Sequence, residues 1–417
     1  MVDTISPEQV EHDQDGIRFH YDLPAEFFRL FLGDSFNYSS GYYRSPDDSL
    51  DQAQQNKIEL YCKKLELGPN DHLLDIGAGW GNLMFYAAQK YGCKVTGLSL
   101  SPVQKEYITK RAAELGISHL INYELVHALA ADFPDGTFTK AGSLEATEHI
   151  EDLPALYRKL YKMVSDDGII CVQIITGRAN LGETTFPGEE EATDFMRRYI
   201  YPVGRWANIS EAVTAMENAG FEIVDLENIT DHYYLTQQQW YQGLQKAYAD
   251  KAASTGVEPD RYLAQLLFAA GSVDTFRRST NLDYQLLARK NGPGIRRPLQ
   301  LDRATLTLDG PERKTGGPYK MEGQVQLSIT GNVEPGQAGI PNSVWHVDME
   351  NLEAGVQEGP ATNPVCKVSI DGNDLLATLT GQLSWPDAFV QGKLVHEGDL
   401  TAVLWVRDAL RSPLGGF

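Results

Sequence analysis

Three glycines at alternate positions, Gly77, Gly79 and Gly81, follow the run Leu73-Leu74-Asp75-Ile76 and precede an apolar helical segment from Leu83 to Tyr91. Without a Cβ, each lets a ligand lie directly against the backbone, and the helix behind them offers unpaired N–H groups at its start. The chemistry this predicts is the binding of a nucleotide-type cofactor at the tip of a buried strand. A dinucleotide fingerprint would space its glycines as G-x-G-x-x-G. The order G-x-G-x-G behind the acidic Asp75 points instead to S-adenosylmethionine, a methyl donor. Downstream stand Glu145, Glu148 and His149, two carboxylates one helical turn apart with an imidazole beside them. Such groups can take up a proton. Tyr42, Tyr43, Tyr199, Tyr201, Trp206, Tyr233, Tyr234 and Trp240 add a high density of rings, whose faces can stabilise a cation.

The elements that must position these residues alternate. His72–Ile76, Lys94–Leu98, Ala141–Leu144, Gly168–Ile175, Phe221–Glu227 and Asn281–Arg289 read as strands. Pro102–Leu115, Leu153–Val164 and Ile209–Ala219 read as helices between them. That alternation predicts an α/β fold, a doubly wound and mostly parallel sheet with helices on both faces. Ala25–Leu32 and Ser49–Leu65 read as helices able to cap the cofactor cleft. Lys290-Asn291-Gly292-Pro293-Gly294 is a breaker cluster, and beyond it the character changes. Gln324–Ile329, Val344–Met349, Val365–Ile370, Lys393–His396 and Ala402–Val406 read as short strands, with Asp374–Thr380 as a short helix. This is a second, α+β domain, in keeping with a length of 417 residues.

Composition narrows the partners. There are 36 basic against 57 acidic residues, a formal charge of −21, and a surface this acidic disfavours nucleic acid. The four cysteines, Cys62, Cys93, Cys171 and Cys366, lack CxxC spacing, so neither a metal site nor a disulfide framework is expected. No apolar run approaches the ~18 residues that span a bilayer, and Met1 to Asp15 is too polar for a signal peptide. The expectation is a cytoplasmic protein, with transient membrane-surface contact and self-association both open.

Several flanking segments carry a resemblance. They are His20-Tyr21-Asp22-Leu23 with Phe27-Phe28 and Tyr38-Ser39, then Leu74 to Gly81, Gly97-Leu98-Ser99-Leu100-Ser101-x-x-Gln104, Glu148-His149, and Arg198-Tyr199-Ile200-Tyr201-Pro202-x-Gly204. Ala219-Gly220-Phe221 and His232-Tyr233 with Trp240 complete the set. In this order they resemble the cyclopropane-fatty-acid synthase family, which includes mycolic acid cyclopropane synthases and some alkaloid N-methyltransferases. The resemblance covers roughly residues 17–290. It implies a Rossmann-like class I methyltransferase fold with a seven-stranded sheet, using S-adenosylmethionine and releasing S-adenosylhomocysteine. The domain division it suggests is a helical cap over 1–70, the methyltransferase over 71–290, and a linker over 291–299. Tyr38 and Ser39 would contact the methionine part of the cofactor. Asp75, Gly77 and Gly79 would shape its pocket, Ser99 and Gln104 would hold the ribose, and Ala128 and Leu129 would face the adenine. On the residues alone, Ser101-Pro102 also reads as an ordinary helix start beside Ser99 and Gln104.

Methyl transfer from a sulfonium asks only that the acceptor lie behind the methyl carbon with water excluded. An alkene acceptor adds a demand, because its attack leaves a carbocation that must be shielded and must lose a proton. In cyclopropane synthases a bicarbonate held by cysteine, glutamate, histidine and tyrosine takes that proton. The resemblance puts Glu148 and Tyr233 at two of these places, Ser40 at the cysteine's and Gln173 at the histidine's. Two departures in four put a bicarbonate in doubt, although Ser40 and Gln173 can still donate hydrogen bonds to an anion. Without it, Glu148 or Tyr233 becomes the expected base, followed by His149. Glu145 either shares the site or caps a turn.

Residues from Trp345 to Gly355, with Val368-Ser369-Ile370, Asp374-Leu375-Leu376, Ala388-Phe389 and Gly398-Asp399-Leu400, resemble a sterol carrier protein domain over about 300–417. The function expected is methylation of carbon in an apolar acceptor, whether fatty acyl, isoprenoid or sterol-like. The alternatives are N-methylation of a small amine, and a lipid carrier with an inactive methyltransferase half.

Overall fold

The computed structural model describes residues 5–21, 23–45, 47–178, 194–202, 206–249, 256–290, 323–331, 342–349, 356–404 and 406. Asp22, Gly204, the linker over 291–299, Glu350 to Gly355 and the strand end at Trp405 lie outside them. The chain forms two compact units. The first draws on Met1–Asn180, Tyr201–Gly243 and Arg278–Lys314, the second on Leu181–Ile200, Leu244–Arg277 and Thr315–Phe417.

The first unit is built on seven strands: β1 (His72–Ile76), β2 (Lys94–Ser99), β3 (Ile121–Leu125), β4 (Phe138–Leu144), β5 (Val164–Gly177), β6 (Phe221–Asn228) and β7 (Asn281–Lys290). Their order in the sheet is β3-β2-β1-β4-β5-β7-β6. Strands β3, β2, β1, β4 and β5 pair in parallel, while β7 runs antiparallel to both its neighbours. The mostly parallel α/β sheet expected from the sequence is therefore present. Leu73, Leu74 and Ile76 of β1 are buried, as befits a strand covered on both faces. The order reverses at β1, which has β2 on one side and β4 on the other. The loops leaving β1 and β4 part there and open a crevice at the carboxyl ends of the strands.

The flanking helices carry their own start and stop signals. Ser101 caps Pro102–Glu114 by accepting from the Gln104 amide, and Asp152 caps Leu153–Met163 by accepting from Ala155. Gly220, in the left-handed region at φ 107°, ends Ile209–Ala219. Ahead of the sheet lie Pro7–Tyr21, Ala25–Leu32 and Leu50–Lys64. Helix Ala25–Leu32 buries Phe27, Phe28, Phe31 and Leu32. Elements beyond the sequence expectation include Pro7–Tyr21, polar along most of its length, edge strand β3, only partly buried, and the helices Thr230–Ala249 and Pro259–Arg277.

The second unit holds a five-stranded sheet in the order β10-β9-β8-β11-β12: Val356–Glu358, Ser343–Asp348, Gln324–Thr330, Pro364–Asp371 and Leu394–Gly398. Helices Gly372–Leu379 and Trp385–Val390 accompany it, and Pro259–Arg277 packs on the latter. Asp387 binds the segment Met196–Ile200. It accepts from Arg198 at 2.9 and 3.0 Å and from the Tyr199 hydroxyl at 2.8 Å. The strand expected over Ala402–Val406 is corrected: residues 401–404 are helical, because Asp399 caps them by accepting from the Thr401 amide at 2.9 Å. Among the described residues no helix is long and apolar enough to cross a membrane.

Candidate active site

A cleft of about 1020 Å³, its open mouth included, lies at the β1/β4 switch point of the first unit. Of the residues expected to meet the cofactor, Tyr38, Ser39, Asp75, Gly77, Gly79, Ser99, Gln104 and Ala128 line it. Leu129 turns its side chain into the core beneath the sheet.

The floor is the glycine turn. Gly77 and Ala78 donate their amides to Leu98 at 2.9 and 3.0 Å, which ties the turn to the end of β2. Gly77, at φ 73°, faces Ala146 so closely that an added Cβ would collide with its methyl group. Gly79, at φ 53°, has only its own turn nearby, so its backbone stays open to the cleft. Burial pushes the Asp75 carboxyl up to about 7. Its side chain receives no hydrogen bond among the described residues, so it is available to donors on a ligand. Across the cleft the Ser99 hydroxyl donates to Gln104 Oε1 at 2.9 Å. Both side chains thus line the cleft as a hydrogen-bonded pair.

The rings of Tyr21, Phe36, Tyr38 and Trp80 line the cleft, and further rings pack behind Tyr38. The Tyr38 ring stacks on His20 at 5.3 Å and meets Trp240 at 5.1 Å. Tyr233 closes on Trp240 edge to face at 5.9 Å. Tyr201 lies 4.2 Å from the His20 ring and 5.3 Å from that of His149. His149 lines the cleft, and its Nε2 is 3.4 Å from the Tyr21 hydroxyl.

Adjoining these rings is a buried polar cluster. Glu145 lines the cleft, and its Oε1 accepts from the Ser40 amide at 2.8 Å and from Gln173 Nε2 at 2.5 Å. The Tyr233 hydroxyl hydrogen-bonds the same carboxylate. Glu145 adopts φ 55°, an uncommon conformation for a side-chain-bearing residue and one that concentrates at functional sites. Gln173 is held in turn by Gln285, which donates at 3.0 Å, and also approaches Asp283 at 3.3 Å. Lys57, fully buried, donates to the Ser39 hydroxyl at 2.6 Å.

Electrostatics assigns the charges. Burial raises Glu145, Glu148 and Asp283, and the negative charge of Glu145 raises the other two further. Glu148 is pushed up to about 8. The amide of Ser40 and the charge of Lys57 pull Glu145 back down. Two donors, the Ser40 amide and Gln173 Nε2, converge on Glu145 Oε1, an arrangement that favours its ionised form, while burial favours the protonated forms of Glu148 and Asp283.

The structure therefore gathers Ser40, Gln173 and Tyr233 around one point, with Glu145 at its centre. Ser40 contributes its backbone amide, since its hydroxyl donates to Gly41 at 3.0 Å. Glu148 sits behind, its Oε1 accepting from the Ile175 amide at 2.5 Å and its buried Oε2 without a partner among the described residues. Lys57 and Asp283 escape sequence reasoning. A lysine on helix Leu50–Lys64 reads as solvent-facing, and an aspartate on β7 carries no local motif.

Residues 8–285 match the family described as mycolic acid cyclopropane synthetase, and residues 320–411 match the SCP-2 sterol transfer family. A probable fatty acid methyltransferase of Pseudomonas putida is 33% identical over 292 residues, which is 68% of this chain and 72% of that protein. A sphingolipid C9-methyltransferase of Komagataella phaffii is 31% identical over 301 residues, and the chain spans only 60% of its length. Among solved structures, the mycolic acid cyclopropane synthase CmaA1, complexed with SAH and CTAB, is similar with a TM-score of 0.62 and 28% identity, over 66% of this chain and 98% of that one. The glycine turn, the switch-point cleft and these matches agree, and the chain belongs to the mycolic acid cyclopropane synthetase family of S-adenosylmethionine-dependent methyltransferases, with an SCP-2 domain following the catalytic one.

Proposed function

We propose that the protein transfers a methyl group from S-adenosylmethionine to carbon at a double bond of a long-chain acyl lipid. The observation that carries this reading is the pairing, around one cleft, of lining rings with a buried carboxyl whose donors favour its ionised form. These are the two things alkene methylation needs beyond a methyl donor. The fatty acid and sphingolipid relatives supply the substrate class.

The donor side fits the cofactor. Asp75 and the open backbone at Gly79 suit its amino acid end, and Tyr38 and Ser39 close over that end. Ser99 and Gln104 offer hydroxyl and amide to a ribose, and Ala128 offers a small apolar surface to a base. Bound there, S-adenosylmethionine supplies a methyl group activated by a positively charged sulfur. Tyr21, Phe36, Tyr38 and Trp80 line the cleft with rings whose faces suit a cation and which help exclude water. The carboxylate wall then disposes of the proton.

The SCP-2 domain suits holding an apolar acceptor for the methyltransferase. The test is to incubate the full chain and cofactor with phospholipid vesicles bearing mono-unsaturated or saturated chains, and separately with small amines. Mass spectrometry should find one added CH2 in the unsaturated lipid only. Methylated amines with unchanged lipids would overturn the reading.

A further inference from the structure

The donors of the polar wall are already engaged by a carboxyl of the chain itself. Oε1 of Glu145 receives the Ser40 amide at 2.8 Å and Gln173 Nε2 at 2.5 Å, and Tyr233 hydrogen-bonds the same carboxylate. Ser40, Gln173 and Tyr233 are three of the four positions from which a bicarbonate would be held, and the fourth, Glu148, gives one oxygen to the Ile175 amide. A carboxylate and a bicarbonate present the same planar O–C–O anion to their donors. A bicarbonate entering here would have to displace Glu145 from those donors, or lie against it as a second negative charge in a buried site. The residues present therefore do not fit bicarbonate.

Of the clustered carboxyls, Glu145 is the one that lines the cleft. It stands next to Ala146, whose methyl abuts the cofactor turn at Gly77. Its left-handed backbone aims the side chain away from the direction an extended residue would take after β4, toward Ser40 and Gln173. Lys57, buried beside the cluster, is positioned to balance its charge.

We infer that the Glu145 carboxylate is the catalytic proton acceptor, a built-in replacement for bicarbonate, and that turnover needs no added carbonate. The inference rests on the carbon-methylation reading above. The acceptor's π pair becomes the new bond to the methyl carbon, and the old S–C pair stays on sulfur. The neighbouring carbon, now cationic, is neutralised when an adjacent C–H bond breaks. That pair becomes a C=C bond or closes a ring, and the proton passes to Glu145 and then to solvent. The two other carboxyls do not line the cleft, and burial favours their protonated forms.

The test uses full-length enzyme with unsaturated phospholipid vesicles in carbonate-free buffer. Wild-type turnover should be unchanged, within about twofold, on adding bicarbonate. Glu145→Gln should lower kcat by about 100-fold or more, with S-adenosylhomocysteine affinity held within about twofold as evidence of an intact fold. Glu145→Gly, which empties the anion position and relaxes the backbone, should bind isotopically labelled bicarbonate by NMR titration where wild type does not. Formate or bicarbonate should restore part of its turnover. A wild-type rate that rises about tenfold or more with bicarbonate overturns the inference, as does a fully active Glu145→Gln. Labelled bicarbonate binding to wild type overturns it too, and that measurement needs no acceptor. Failure of the inference is thus separable from failure of the reaction assignment, which would show as unmethylated lipid under every condition.

Discussion

Gly77 at the end of β1 and Ala146 just past β4 touch backbone to methyl, with no room for a Cβ between them. This contact sets the depth of the cofactor turn. Gly77→Ala would add both a collision and the strain of a left-handed φ of 73°. The strain alone costs about 1–2 kcal/mol, and overpacking adds about 1–3 kcal/mol. A fall of several degrees in Tm and a loss of about tenfold or more in cofactor affinity by calorimetry should follow. Gly116→Ala is the control: its φ is 70° but nothing lies within 4 Å, so it should show the strain and leave cofactor affinity unchanged.

The buried carboxyls make the ligand-free protein weaker as pH rises. Asp75 goes up to about 7 and Glu148 to about 8, both from burial first, against ordinary values of 3.8 and 4.5. A group whose folded pKa is raised is protonated in the fold while the unfolded chain has ionised. Its stabilisation is complete below the unfolded value and is lost as pH climbs through the folded one. Tm should therefore fall between about pH 4 and pH 8, on the order of 4 kcal/mol coming from Glu148 alone. Glu148→Gln should flatten that slope, and a slope unchanged by the substitution would contradict the burial account.

Lys57 tunes Glu145. Burial lowers the lysine to about 8, yet it donates to Ser39 at 2.6 Å and its charge faces Glu145 and Asp283. Lys57→Met would leave the Glu145 anion without its counter-charge, which raises the Glu145 pKa. The acidic limb of the pH–rate profile should move upward, and stability should drop by about 3–5 kcal/mol. An acidic limb that stays where it was would show that Lys57 is only packing.

Ser99 and Gln104 act as one unit, joined at 2.9 Å. Ser99→Ala should raise the KM for the cofactor about tenfold with kcat nearly unchanged, the pattern for lost ground-state binding. Gln104→Ala should do the same. The double substitution should cost less than the sum, because each single change already disturbs the shared bond.

Local signals sufficed for the donor half of this protein. The strand His72–Ile76, the glycines behind it and the capping Ser101-Pro102 are all contiguous in sequence, and each acts through backbone geometry that a few neighbouring residues dictate. The alternation of strands and helices was equally legible, because buried parallel strands are continuously apolar. Edge strand β3 and helix Pro7–Tyr21 were not, since neither has a clean apolar face.

The acceptor half was decided by tertiary structure. Ser40 and Glu145 meet across 105 residues, Gln173 and Asp283 across 110. The second meeting depends on β7 pairing antiparallel to β5 in the register that sets Ile175 opposite Asp283. Sequence named Ser40 by its side chain, but the fold uses its amide. The resemblance pointed to Glu148 as the base; in the fold its Oε1 accepts from the Ile175 amide, and it is Glu145 that lines the cleft. No motif encodes which of two carboxylates three residues apart is ionised. That follows from where the fold gathers donors, and from how little water it leaves around each oxygen.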